Sequence, residues 1–176
     1  MKRKLLYWQI AGFVTTSILG TLLHFLYDWS NKNIFIAPFS SLNESTWEHM
    51  KILFFPLFIF AIIQYRFFKN HKNFWWVKLV GICTGLILIP VLFYTYNGIF
   101  GKSPDWFNIA IYFIALALTF IIETFLLKND KLHLKSPWIA FVIICIIGGL
   151  FILFTFATPK LPLFKDPQTL TFGIMN

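Results

Sequence analysis

From Pro137 to Phe156 the chain reads PWIAFVIICIIGGLFILFTF, without one charged side chain, and four other stretches come close to it. Runs of this kind constrain the fold more than anything else in the sequence. A helix needs about 20 apolar residues to cross the hydrocarbon of a bilayer. Segments near that length run from Leu5 to Tyr27, His49 to Phe68, Phe74 to Tyr96, Trp106 to Leu127 and Pro137 to Phe156. They are continuously apolar rather than alternating, which does not suit a membrane barrel, and lipid then leaves only the helix as a way to satisfy the backbone. The sequence therefore predicts an all-α, polytopic transmembrane bundle of about five spans: one domain over residues 1–176, with an extracytoplasmic tail over 157–176.

Composition supports the same solvent. With 58% hydrophobic residues, 12% charged and 23 Phe, the chain has more apolar surface than one water-soluble core of 176 residues can hide. The net charge of +8 does not point to nucleic acid, because the basic residues are scattered between apolar runs rather than gathered on one face. Cys83 and Cys145 each lie inside a run, as small packing residues rather than a disulfide framework. The opening MKRK resembles the start of a signal peptide, but the run after it is long enough to span and no A-x-A-like site closes it, so a retained first helix is expected. Pro56 and Pro90 fall within spans and predict kinks rather than ends.

Loop charges give a direction. Lys2, Arg3, Lys4, Arg66, Lys69, Lys72, Lys78, Lys128, Lys131 and Lys135 fall on one side, against Lys32, Lys51, Lys102, Lys160 and Lys165 on the other. The richer side is expected in the cytoplasm, with the amino terminus inside and the carboxyl terminus outside. Asp28, Glu44, Glu48, Asp105 and Asp166 are then external, Asp130 is internal, and Glu123 lies within the fourth span, where its side chain can snorkel toward the inner surface. All seven tryptophans fall near span ends, where an indole N–H can stay among headgroups.

Polar residues collect at the external ends. LHFLYDWS places His24 and Asp28 four residues apart, on one helical face. In SLNESTWEHMK, Glu44 and Glu48 share a face, and His49 lies about 100° around the axis from Glu48. S-x-x-E occurs twice, as Ser41–Glu44 and Ser45–Glu48, so either can be a capping box, and Glu48 can pair with Lys51. One cap does not employ both glutamates, nor does it need His49. Imidazoles and carboxylates together are an ordinary ligand set for zinc or a similar divalent metal. His24, Asp28, Glu48 and His49 are candidate ligands, with Glu44 as general base on a metal-bound water. Asn43, Trp47, Lys51, Tyr94, Asn97 and Asp166 are candidate pocket residues, and the proline-rich tail is a candidate lid. His71 and His133 read as ordinary loop residues. The Asn43-Glu44-Ser45 sequon is read as a chance match, and nucleotide-binding and nucleophile-elbow motifs do not occur.

The segments LHFLYDWS, FSSLNESTWEHMKILFFP, LIPVLFYTYNGIFG and FTFATPKLPLFKDPQTLTFG together resemble a family of small bacterial integral membrane proteins known only as a domain of unknown function. An NES-x-WEH-x-K motif and a PLF-x-DP tail are its most specific parts. The resemblance implies a multi-pass protein of a bacterial plasma membrane and a glycine near Leu170; it implies no activity and no catalytic residue. Three functions stay open from the residues. One is a metal-dependent hydrolase acting on a lipid or envelope substrate. Another is a small-molecule binding or transport protein. The third is an accessory membrane subunit whose polar cluster only locks helices together. The partners expected are membrane lipid and a small-molecule or lipid substrate, not nucleic acid.

Overall fold

In a computed structural model of the chain, residues 2–129, 134 and 136–174 are described. Among them are five long helices: α1 (Lys2–Trp29), α2 (Thr46–Phe68), α3 (Phe74–Phe100), α4 (Asp105–Asn129) and α5 (Pro137–Phe156). One turn of 3-10 helix, Pro162–Phe164, follows them, and the described residues contain no strand, only an isolated antiparallel bridge between Lys165 and Phe172. Each helix is long and apolar enough to cross a membrane, and the all-α, five-span architecture stands as the sequence predicts. Asp130, Lys131, His133 and Lys135 lie outside the described residues.

α5 has the predicted bounds, while the other four helices overrun theirs because a helix stops at a cap rather than where its apolar run stops. Ser45, in extended backbone, accepts a hydrogen bond from the Glu48 amide at 3.4 Å, so α2 starts at Thr46 rather than His49. At the other extreme α3 runs on to Phe100. It closes at Gly101, whose φ of +83° suits glycine and whose amide donates to the Asn97 carbonyl at 3.1 Å. Both α2 and α3 continue through their internal prolines, Pro56 and Pro90.

At the centre of the bundle stands α2, touching the other four helices, with 61% of its membrane-length window buried against 22% for α1 and 28% for α5. The outer helices therefore present most of their apolar surface to lipid, as packing in a bilayer allows. The ends of α1, α3 and α5 meet the starts of α2 and α4 at one end of the bundle, the Glu44 end. Small residues set the helix separations: a Cβ on Gly20 would meet the Tyr112 hydroxyl, which lies 3.4 Å from the Thr16 carbonyl, so α1 and α4 close tightly there.

Trp29, Trp106 and Trp138 are more than half exposed, as interfacial anchors are. Trp75 and Trp47 instead face inward. Trp75 packs between Tyr65 and Phe141, and Trp47 packs on Phe151 and Phe164 at centroid distances of 4.5 and 4.6 Å. Glu123 does not snorkel. It is fully buried and bonds Lys78 Nζ at 2.5 Å, because Gly81 leaves room on α3 for its side chain. Lys78, counted in sequence among inner-loop charges, is thus a core residue of α3, ringed by Phe60, Phe74 and Phe120.

Candidate functional site

The loop between α1 and α2 builds the Glu44 end. It folds back on α1 through Ser40, whose hydroxyl donates to the Leu23 carbonyl and accepts from the Tyr27 amide at 2.9 Å, and through the Ser41 amide, 3.1 Å from the same Leu23 carbonyl. Asn43 then shapes the last turn before the helix: its Oδ1 accepts from the Ser45 amide at 3.0 Å. Glu44 is held beside the end of α1 as a result.

Its carboxylate lies between two imidazoles. Oε1 is 3.4 Å from His24 Nε2 and Oε2 is 3.5 Å from His49 Nε2, and the rings are 5.5 Å apart at their centroids. His49 is fixed further by Nδ1, 2.9 Å from the Ser45 carbonyl. A carbonyl only accepts, so Nδ1 carries the proton; in the neutral ring Nε2 then holds a lone pair turned toward Glu44. Side-chain exposures of 25% for His24, 21% for His49 and 38% for Glu44 leave the group open to a ligand.

These three residues stand at the rim of a cavity of about 460 Å³ between α1, α2, α3 and α4, a size within the range of small-molecule sites. Deeper in, its walls are apolar or aromatic: Ile52, Ile89, Phe93, Ile111 and Tyr112. Across the rim, the short α3–α4 turn is locked by its own polar network. The Ser103 amide donates to Asn97 Oδ1 at 2.9 Å, Asn97 Nδ2 donates to Ser103 Oγ at 3.2 Å, and Ser103 Oγ donates to Asn108 Oδ1 at 2.7 Å. Lys102 and Asp105 line the same side.

Of the sequence candidates, His24, Glu44, His49 and Asn97 meet at this cavity. The others are placed elsewhere. Asp28 is exposed near the end of α1 and does not line the cavity. Glu48 is buried and turned away: its Oε2 bonds Lys51 Nζ at 2.6 Å and accepts from the Leu42 amide at 2.9 Å. Lys51 also donates to the Ala37 carbonyl at 2.9 Å and to Thr155 Oγ1 at 3.3 Å, so this pair joins α2, the preceding loop and α5. Trp47 packs under the tail, and Tyr94 is exposed on α3 outside the cavity lining. Asp166 is buried in the tail, where Oδ1 accepts from the Gln168 amide at 2.7 Å and holds a turn. Asn43 Nδ2 donates to the Gly173 carbonyl at 3.4 Å, and that turn brings Pro167 and Gln168 over the cavity. Among the described residues no group of three or more His, Cys, Asp or Glu is arranged to hold a metal ion. Ser103, Asn108 and Tyr112 carried no signal in sequence, since a serine in a turn and polar residues near a span end are common.

Five membrane-length helices define a multi-pass integral membrane protein. More particularly, the model of a family of unknown function, DUF6512, matches residues 1–174, and the chain belongs to that family. Comparison with curated proteins and with solved structures gave no significant match.

Proposed function

We propose that this is a protein of a bacterial plasma membrane, with its amino terminus inside and its Glu44 end outside. In this reading the cavity binds a lipid or envelope-type molecule on whose polar group His24, Glu44 and His49 act. The observation that carries the reading is one carboxylate between two Nε2 atoms at the rim of an apolar cavity. The chemistry it supports is hydrolysis. His49, its tautomer fixed by the Ser45 carbonyl, has the lone pair needed to take a proton from water. Glu44 stabilises the imidazolium that results, the same proton passes from His49 to the leaving group, and His24 is placed to hydrogen-bond the substrate's polar group.

A second reading keeps a divalent metal. Anchoring of one ring nitrogen on a backbone carbonyl is the usual support of a metal-bound histidine, and His49 has it. The set would be His24, Glu44 and His49, without Asp28 or Glu48, and since these three are not arranged to hold an ion as they stand, the metal would have to draw them together. Simple binding or transport of the same molecule, and a purely structural cluster in an accessory subunit, are the remaining alternatives.

Native mass spectrometry and elemental analysis of protein extracted in mild detergent separate these readings. The expected result is a retained lipid-class molecule in the wild type, lost in His49→Ala and Glu44→Gln without loss of folding. Stoichiometric zinc, lost in the same variants, moves the metal reading first. A wild type carrying neither, with variants indistinguishable from it, removes the site.

A further inference from the structure

The cavity is bounded on three flanks by hydrogen-bonded or tightly packed structure. Toward α3 the Asn97–Ser103–Asn108 network fixes the turn. Above lie Pro167 and Gln168, carried by a tail that Asp166, and Asn43 through Gly173, hold in place. Below, Gly20 and Tyr112 bring α1 and α4 together.

The fourth flank differs. Between the last turns of α1 and the first turns of α4 it consists of Phe25, Ile109 and Phe113, which line the cavity and are 45%, 60% and 37% exposed. All three are apolar side chains on helices of membrane length, within about two turns of Trp29 or Trp106, and so suit the boundary between headgroups and acyl chains. The described residues show no hydrogen bond across this flank.

We infer that the ligand enters sideways from the bilayer between Phe25 on α1 and Ile109 and Phe113 on α4, and that it is a chain-bearing amphiphile of the membrane rather than a water-soluble solute. Its chain lies against Ile89 and Phe93, and its polar group stays at the rim with His24, Glu44 and His49. This rests on the cavity being the working site as proposed above, but not on what the histidines do there. The arrangement matches what an amphiphile requires. Polar groups are confined to one edge of the cavity, apolar walls make up the rest, and the route in never exposes the chain to water. Phe25, stacked on the exposed Trp29 at 5.6 Å and set edge-on to His24 at 4.8 Å, stands at the opening beside the polar rim.

The test uses the full-length protein in phosphatidylcholine vesicles doped with a phospholipid and a lysophospholipid, each carrying a diazirine at the chain end, with cross-links mapped by mass spectrometry. Ile89 is the reporter, since it lines the cavity yet is only 3% exposed and lies out of reach of lipid around the bundle. Labelling of Ile89 is expected in the wild type, with a several-fold drop in Ile109→Trp. Phe113→Trp serves as a second blocking variant should the first not fold. Labelling that persists in Glu44→Gln shows that entry stands even if the acid–base reading fails. Labelling of Ile109 and Ile139 on the outer surface without Ile89 overturns the inference. So does labelling of Ile89 by a short-chain, water-soluble diazirine that the tryptophan variants do not reduce.

Discussion

Glu44 and Glu48 are four residues apart, one before the α2 cap and one after it, and do opposite things. Glu48 is 3% exposed, and its charge is answered by Lys51 and by the Leu42 amide; its partner is fully buried. Removing one member of such a pair leaves the other uncompensated in a low dielectric, which costs about 3–5 kcal/mol. Glu48→Gln is therefore expected to lower the melting temperature of the detergent-solubilised protein sharply. Glu44 is more than a third exposed and faces imidazoles rather than a fixed cation. Glu44→Gln is expected to change stability by less than about 1 kcal/mol while abolishing retention of the bound molecule. Equal losses of stability in both variants would return Glu44 to a structural role. In sequence the two are nearly indistinguishable, since both follow a serine at capping spacing. What separates them is Ser45 taking the cap, which rotates Glu48 inward onto Lys51 and leaves Glu44 in the loop beside His24.

At the level of the element, five helices were legible because apolar runs of membrane length admit little else. Their ends were less so, since Ser45 and Gly101 decide them by hydrogen bonds that hydropathy does not encode. The coming together of His24 with His49 was readable from topology, which puts the end of α1 beside the start of α2. The partner of Glu123 was missed because Lys78 reads as a loop charge, although each lies a turn or two from the same end of the bundle. In the tail, Leu170 adopts a φ of +62°, the left-handed region where the family resemblance implies a nearby glycine; leucine there is held by the Asp166–Leu170 turn. The α3–α4 pairing can be tested directly. Lys78→Met alone strands the Glu123 carboxylate and is expected to destabilise by about 3–5 kcal/mol, whereas Lys78→Met with Glu123→Leu is expected to recover most of that loss. A double variant as unstable as the single one would mean that the pair is not coupled as the 2.5 Å contact indicates. Chemical denaturation in mixed micelles reads both.

For the whole molecule, the proposed function depends on which way the bundle sits. Burial removes Lys78 from one side of the loop tally and Lys51 from the other, and the excess of basic residues remains on the side of Lys69 and Lys72. Lys160→Cys is expected to react with a membrane-impermeant maleimide in intact cells, and Lys69→Cys only after lysis. The reverse pattern would put the histidine cluster in the cytoplasm and exclude an external substrate. Biogenesis follows from the Lys78–Glu123 contact in a way that concerns neither ligand nor topology. When α3 leaves the insertion machinery its ammonium has no counter-ion, and the carboxylate that answers it sits almost at the far end of the next helix to be synthesised. A nascent chain halted between them would hold a half-made hairpin with an orphan charge in lipid. Insertion of the two helices as a pair spares the bilayer that orphan charge.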